Sequence, residues 1–343
     1  MSSREEELKT GMSRRSALKT LAVASVAGVL GVPALAQANT PRMVTVAKII
    51  GVPWFNLLST GIAAGGNKFH IDTSMIGPAH PDPAAQVGLV QDLIARKVSV
   101  IGLVPLDVKV LGPVLKQAQD AGIIVITQEG PDQENRTWDV EMVSSQAYGE
   151  AQMKALAAEM GGDGQYIILV GTLTTPLHNA WADAAIAYQK ANYPKMQLAT
   201  SRFPGSDEVD ASEQVMRGAI QAYPDLRGVI GFGSSGPIGA GNVVRQRHLQ
   251  KKVAVVGTAI PSQVQPLIMD GAVRKAFLWS PKDAGYAMVA VADLALRKQP
   301  IKTGIEIAGL GKATVDEVNR TVSLDRLVVV DRATVAGLAA QGL

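Results

Sequence analysis

The sequence predicts an α/β protein built as two doubly wound parallel-sheet lobes, and three observations carry that prediction. From residue 43 onward, short apolar runs alternate with amphipathic segments of helical period, the signature of βαβ units. The runs are continuous and β-branched, as strands buried on both faces must be. The cycle runs once over residues 43–128 and begins again near Gln146, in a chain of 343 residues whose 47% apolar and 18% charged content suits two packed cores.

Taken in order, "MVTVAKII" (43–50) is the first strand, "FNLLSTGIAAGG" is helical and "FHIDTSMI" is extended. "DPAAQVGLVQDLIARK" is a helix that Asp82 can cap with Pro83 at its first position, and Val87, Val90, Leu93 and Ile94 form its apolar stripe. "VSVIGLV" (98–104) follows as a strand, "VLGPVLKQAQDAG" as a helix closed by Gly122, and "IIVITQ" (123–128) as a strand. The second cycle reads as helix 146–160, strand 166–171, helix 179–192, strand "MQLATS", helix 208–223, strand "GVIGF", helix 237–248, strand 253–258, helix 262–270 and strand 273–279. Residues 284–298 form a further apolar-striped helix with no strand of its own, free to pack on either lobe. The chain then turns irregular before "LDRLVVV" (324–330).

Residues 1–38 read as a cleavable export signal, with a basic start, an apolar run from Leu21 to Leu35, and small residues at Ala34, Ala36 and Ala38. "SRRSALK" resembles a twin-arginine signal, although Ala17 stands where a bulky apolar residue is usual, and Arg14 and Arg15 also suit the general route. The apolar run is too short to span a bilayer, so a soluble exported protein is expected. The stretch carries five Lys/Arg and three Asp/Glu, so without it the net charge falls from +3 to +1, and no extended basic surface for nucleic acid remains. Zero cysteines exclude disulfides, thiolate metal sites and a cysteine nucleophile. The four histidines show no ligand spacing, so neither a metal nor another cofactor is called for.

In open parallel sheets ligands bind beyond the carboxyl ends of the strands. There the sequence places Lys48, Trp54, Phe55, Asn56, Asp107, Glu129, His178, Asn179, Ser234, Ser235 and Trp279. Lys48 is a charge in an apolar strand and needs a partner, for which Glu129 is the best candidate. Trp54, Trp181 and Trp279 all fall at strand ends, where flat rings can stack on the C–H faces of a sugar while amides, carboxylates and cations hold its rim. Packing within the core is the alternative for any one of them. Glu129 and Asp107 are the only pair that suggests hydrolytic carboxylates, and nothing else supports that chemistry. Gly231-x-Gly233-x-x-Gly236 has the form of a dinucleotide turn, but the next strand ends "VAVVGTAIPS" without the acidic residue that would hold a ribose. A small-residue wall facing a ligand through Ser234 and Ser235, or a plain tight turn, are the other readings.

The export signal, the two lobes, "PDPAAQVGLVQDLIARKVSVIGLVPLDVKVLGPVLKQAQDAGIIVITQEGP", "KKVAVVGTAIPSQVQPLIMDGAVRKAFLWSPKDAGYAMV" and "LALRKQPIKTG" together resemble the periplasmic sugar-binding proteins of ABC transporters, of the ribose-binding class. "FLWSPKDAGY" is similar to the branch that holds the rhamnose and autoinducer-2 receptors. The resemblance implies a periplasmic binding protein of type I, with a multi-strand hinge crossing near Val143–Gln146, Trp279–Asp283 and Asn319–Leu324. It implies an N-terminal lobe of 43–145 plus 284–318, a C-terminal lobe of 146–279, and a crossing and tail over 319–343. It also matches Lys48 to a ligand-contacting lysine and Glu129 to an aspartate of the autoinducer-2 pattern. Gln128-Glu129, Leu177-His178, Phe232-Gly233-Ser234 and Ser280 depart from the family, which leaves a pentose, a deoxyhexose, a polyol or a related compound open as ligand. The expectation is a monomeric, non-enzymatic receptor that binds through Lys48, Trp54, Phe55, Asn56, Glu129, Asn179, Ser234 and Trp279 and hands its ligand to a membrane permease. The alternatives are an exported NAD(P)-dependent oxidoreductase using the Gly231 turn, and a sensor of autoinducer-2 or sugar serving a signalling receptor.

Overall fold

Each apolar run read as a strand forms one, and the helices between them cover the faces of two sheets. The computed structural model describes residues 40–343, so the export signal read over 1–38 lies outside the described residues. In the first cycle β1 (Arg42–Val46), α1 (Pro53–Phe69), β2 (Asp72–Ile76), α2 (Pro83–Ala95), β3 (Val100–Leu103), α3 (Val108–Asp120), β4 (Ile124–Gln128) and β5 (Trp138–Glu141) follow one another. The second comprises α4 (Ser145–Met160), β6 (Gly164–Leu169), α5 (Pro176–Asn192), β7 (Met196–Phe203), α6 (Val209–Ala222), β8 (Leu226–Gly231), α7 (Gly236–Gln246), β9 (Ala254–Thr258), α8 (Pro261–Met269) and β10 (Lys275–Leu278). The chain ends with α9 (Pro281–Leu296), β11 (Glu306–Ile307), β12 (Gly311–Lys312), β13 (Thr314–Asp316), β14 (Thr321–Ser323), β15 (Val328–Val330) and α10 (Val335–Ala340).

The first sheet has the order β13-β14-β5-β4-β3-β1-β2, and the second β15-β10-β9-β8-β6-β7. Within these two sheets pairing is parallel except at one edge of each, where β13 runs antiparallel to β14 and β15 antiparallel to β10, and β11 and β12 form a separate antiparallel pair. The chain passes between the sheets after β5, after β10 and after β14. The third passage falls later than 319–324, because Thr321–Ser323 first pairs with Asp139–Glu141. Helix α9 packs along α1 and against β4 and β5 of the first sheet.

Local chemistry sets most boundaries. Asp82 accepts from the backbone N–H groups of Ala84 and Ala85 and caps α2, with Pro83 at the first position where its missing N–H is harmless. Asp107 caps α3 through Lys109 and Val110, and Ser280 caps α9 through Asp283. Asp107 is therefore committed to backbone and is no partner carboxylate for Glu129.

Three elements differ from expectation. Strand β1 stops at Val46, so Lys48 stands beyond its carboxyl end and not within it. Helix α1 starts at Pro53, two residues before the expected Phe55, so Trp54 also lies in its first turn, and both rings are buried. The pattern does not predict β5, because "WDVE" is half polar; Asp139 is nevertheless fully buried, accepting from Thr127 Oγ1 at 2.6 Å and from the Gly130 N–H at 3.2 Å. Those two bonds tie down the loop that follows β4.

Gln86 supplies the corresponding brace on the other side of the sheet edge. Its Nε2 donates to the carbonyls of Ala47 and Val104, and its Oε1 accepts from the Leu106 N–H, so one buried amide links the ends of β1 and β3. The carboxyl ends of both sheets turn toward each other, and the lobes touch there through His80 Nδ1 and Glu208 Oε1 at 2.9 Å and through Thr174 Oγ1 donating to the Leu106 carbonyl at 3.4 Å.

Candidate ligand-binding site

Between the lobes lies a cleft with walls from both, and the space enclosed is about 20 Å³, room for about one water molecule. Lys48 and Glu129 form the first lobe's polar wall. Their side chains meet at 2.5 Å and are 2% and 4% exposed, so the pair is desolvated on all sides. Glu129 adopts φ = +60°, the left-handed region that a side chain with a Cβ enters only at an energetic penalty of about 1–3 kcal/mol. That conformation turns the carboxylate out of the strand direction and onto Lys48, and the Gly130–Asp139 bond behind it holds the turn.

The second lobe contributes His178, in the first turn of α5, and Asp207, beyond the end of β7. His178 Nδ1 accepts the Gly171 N–H at 3.0 Å. Burial, with the Lys48 charge adding to it, lowers its pKa well below the usual histidine range, so the ring is neutral and its one proton sits on Nε2. Nε2 lies 3.5 Å from Lys48 Nζ. Both groups are donors, so they do not bond one another; an acceptor oxygen placed between them satisfies both. Asp207 is buried, and its Oδ2 has no hydrogen-bond partner among the described residues. Desolvation pushes its pKa up to about 6, with Glu129 and Glu208 acting in the same direction and Lys48 against it.

Aromatic rings close the remaining sides. Trp54, Phe55, Trp181 and Phe232 line the cleft, with His178 stacked on Trp181 at 5.3 Å and 27° between planes. Ser234 and Thr258 complete it. Thr258 donates to the Tyr148 oxygen at 2.9 Å, because the Tyr148 hydroxyl gives its own proton to the Phe277 carbonyl, and this leaves the threonine oxygen's lone pairs unspent.

Of the residues expected to bind, Lys48, Trp54, Phe55, Glu129 and Ser234 are brought together in the cleft, and three are not. Asn56 is exposed on α1, rotated away from the cleft by the helical turn that buries its two neighbours. Asn179 is spent inside the second lobe, donating to the carbonyls of Thr172 and Thr175 and accepting from Arg202 at 2.6 Å. Trp279 packs behind the wall, edge-on to Trp54 at 5.3 Å, Tyr148 at 5.1 Å and Trp181 at 5.4 Å. Asp207, Phe232 and Thr258 were not marked as binding residues by the pattern; the strand before Asp207 runs on to Phe203, two residues beyond "MQLATS", and reading it to that end brings Asp207 to the carboxyl edge.

The Gly231 turn is filled by protein. A Cβ on Gly233 would come within 2.4 Å of the Ser206 carbonyl, one on Gly236 within 2.2 Å of Ser206 Oγ, and one on Gly231 within 2.8 Å of Pro237. Ser206 Oγ also takes the Gly233 N–H at 2.9 Å. The glycines admit the loop after β7, and no room is left for a pyrophosphate. Gly233→Ala is expected to destabilise the fold by about 1–3 kcal/mol, read as a fall in denaturation midpoint; an unchanged midpoint would mean that the loop moves aside freely. Among the described residues no group of three or more potential metal ligands clusters, and no helix is long and apolar enough to cross a membrane.

Comparison with known proteins agrees with this architecture. The model of the periplasmic binding protein domain matches residues 43–300. The D-ribose/D-allose-binding protein of Pseudomonas aeruginosa is 26% identical over 255 residues, covering 68% of this chain and 75% of that protein. Among solved structures, LsrB from Clostridium saccharobutylicum in complex with AI-2 superposes with a TM-score of 0.79 at 20% identity, over 86% of this chain and 99% of the other. An ABC transporter solute-binding protein from Clostridium phytofermentas with bound L-rhamnose gives 0.79 at 22% identity, over 89% and 99%. With the match running from the first strand of one sheet through β10 of the other and on past α9, the chain belongs to the periplasmic binding protein domain family.

Proposed function

We propose that the protein captures a small sugar or sugar-like polyol between its lobes and delivers it to the membrane permease of an ABC transporter. The observation that carries this reading is the composition of the cleft: donors with unspent capacity on Lys48 and His178, acceptors on Asp207 and Thr258, and aromatic rings between them, contributed by both lobes. A polyhydroxylated ring offers the matching alternation of hydroxyl donors, oxygen acceptors and apolar C–H faces. The relatives support the class, since their names speak of ribose and allose, of L-rhamnose and of AI-2.

A cleft of about 20 Å³ does not admit a monosaccharide as it stands, so the lobes open about the three passages before binding. The ligand then shifts the population to the closed form through contacts available only there. The protein acts by binding alone, as an exported monomer without a cofactor. Lys48, Glu129, Trp54, Phe55 and Ser234 form its ligand contacts.

A thermal-shift panel of D-ribose, D-allose, L-rhamnose and AI-2 tests the reading. A binder at about 100 times its dissociation constant adds about 2.7 kcal/mol to the folded state, a rise of several degrees in Tm. No shift with any of the four, together with a nicotinamide cofactor that raises Tm, would replace transport by the oxidoreductase alternative.

A further inference from the structure

Among the described residues, Asp207 is the one charged group of the cleft left without a partner. The Lys48 ammonium already faces Glu129 at 2.5 Å. The loop that carries Asp207 has spent its other polar groups internally: Ser206 Oγ exchanges bonds with the Gly233 backbone, and Ser235 Oγ donates to the Asp207 carbonyl. Space for the carboxylate is made by two glycines, since a Cβ on Gly171 would fall 2.1 Å from Asp207 Oδ2 and one on Gly233 2.7 Å from Oδ1. The residue is 8% exposed, and Oδ2 is fully buried with no partner among the described residues. Placing a carboxylate in such a position costs folding free energy unless a donor reaches it. No donor among the described residues does so.

Resting on the sugar-binding reading above, the geometry points to Asp207 as the specificity-determining acceptor of the second lobe: its Oδ2 takes a hydrogen bond from a hydroxyl or amino donor on the ligand, while Lys48 and His178 Nε2–H hold an acceptor oxygen from the opposite side. A ligand is selected for carrying donor and acceptor in that arrangement, and an analogue deoxygenated at the donor position is rejected because it leaves Oδ2 buried and unpaired. The groups that face Asp207 are Lys48 beyond β1, Glu129 beyond β4, His178 on α5 and its own neighbour Glu208. His178 stays neutral, so the carboxylate itself is the titrating member. Binding to the ionised form then weakens as pH falls through about 6.

Asp207→Asn separates this role from a structural one, because the two predict opposite signs. A functional acid held at the expense of stability gives an Asn variant that melts higher than the wild type at neutral pH and yet binds more weakly. For the panel sugar that the wild type binds best, the variant is expected to lose at least about tenfold in affinity. The wild type should itself lose about tenfold between pH 7 and pH 5, and the variant should show a flat profile. Equal affinity in the two proteins, or the same pH profile in both, overturns the assignment. If the wild type binds none of the four probes, the sugar reading falls by itself, and melting alone decides on Asp207: a higher midpoint in the Asn variant retains it as the acceptor for another ligand, and a midpoint at or below wild type removes it.

Discussion

Lys48→Met is expected to lower the free energy of unfolding by about 3–5 kcal/mol, because the thioether keeps the volume of the side chain but leaves the Glu129 carboxylate buried without a counter-charge. Glu129→Leu should cost a comparable amount for the mirror-image reason. The double variant Lys48→Met/Glu129→Leu should recover most of the loss, since an apolar pair of similar volume has no charge to desolvate, and replacement of buried ion pairs is often neutral. Chemical denaturation of the four proteins closes the cycle. Coupling below about 1 kcal/mol would mean that water reaches the pair and that it behaves as an exposed one. All three variants should lose the panel sugar, including the stable double variant. That last point distinguishes a pair kept for binding from one kept for folding.

Trp279→Ala is expected to destabilise by about 3–5 kcal/mol, the usual penalty for emptying a buried aromatic site. Trp279 stands at the second passage between the sheets and is 1% exposed, with the rings of Trp54, Tyr148 and Trp181 all within 5.4 Å. Trp54 belongs to a helix of the first lobe, and Tyr148 and Trp181 to helices of the second, so the ring packs at the join. Its removal should move the denaturation midpoint much more than the affinity of the protein that remains folded. A stable Trp279→Ala protein whose affinity collapses would place the ring in contact with the ligand and contradict the packing described here.

How far the site could be read in advance depended on how local its cause was. Lys48 and Glu129 were legible as partners, since a charge read within an apolar strand needs a partner and a neighbouring strand end is the nearest place to find one. The left-handed turn at Glu129 that brings them together has no local signal, because glycine stands only at the next position. Trp54, Phe55 and Asn56 were legible as neighbours of the cleft and the helix was legible from Phe55 on, but its start at Pro53 was not, and with it went the direction in which each of the three side chains turns. Asn179 looked available because its partner, Arg202, comes from the adjacent strand and is invisible at short range. Asp207 was hidden most completely. Its burial is produced by Gly171 and Gly233, on two other strand ends, and its strand runs two residues past the point where its apolar pattern fades.

The sequence by itself determined the alternation of strands and helices, the caps at Asp82 and the two-lobed order of the chain, because period and capping are settled within one or two turns of backbone. Tertiary structure alone decided which polar groups are consumed and which are left over at the cleft. That distinction depends on pairing between loops from separate strands: the Ser206 loop fills the glycine turn, Asp107 is claimed by its own helix, and Asp207 is left without a donor. A residue's type states what bonds it can make, and only the packed chain states which of them remain to be made with a ligand.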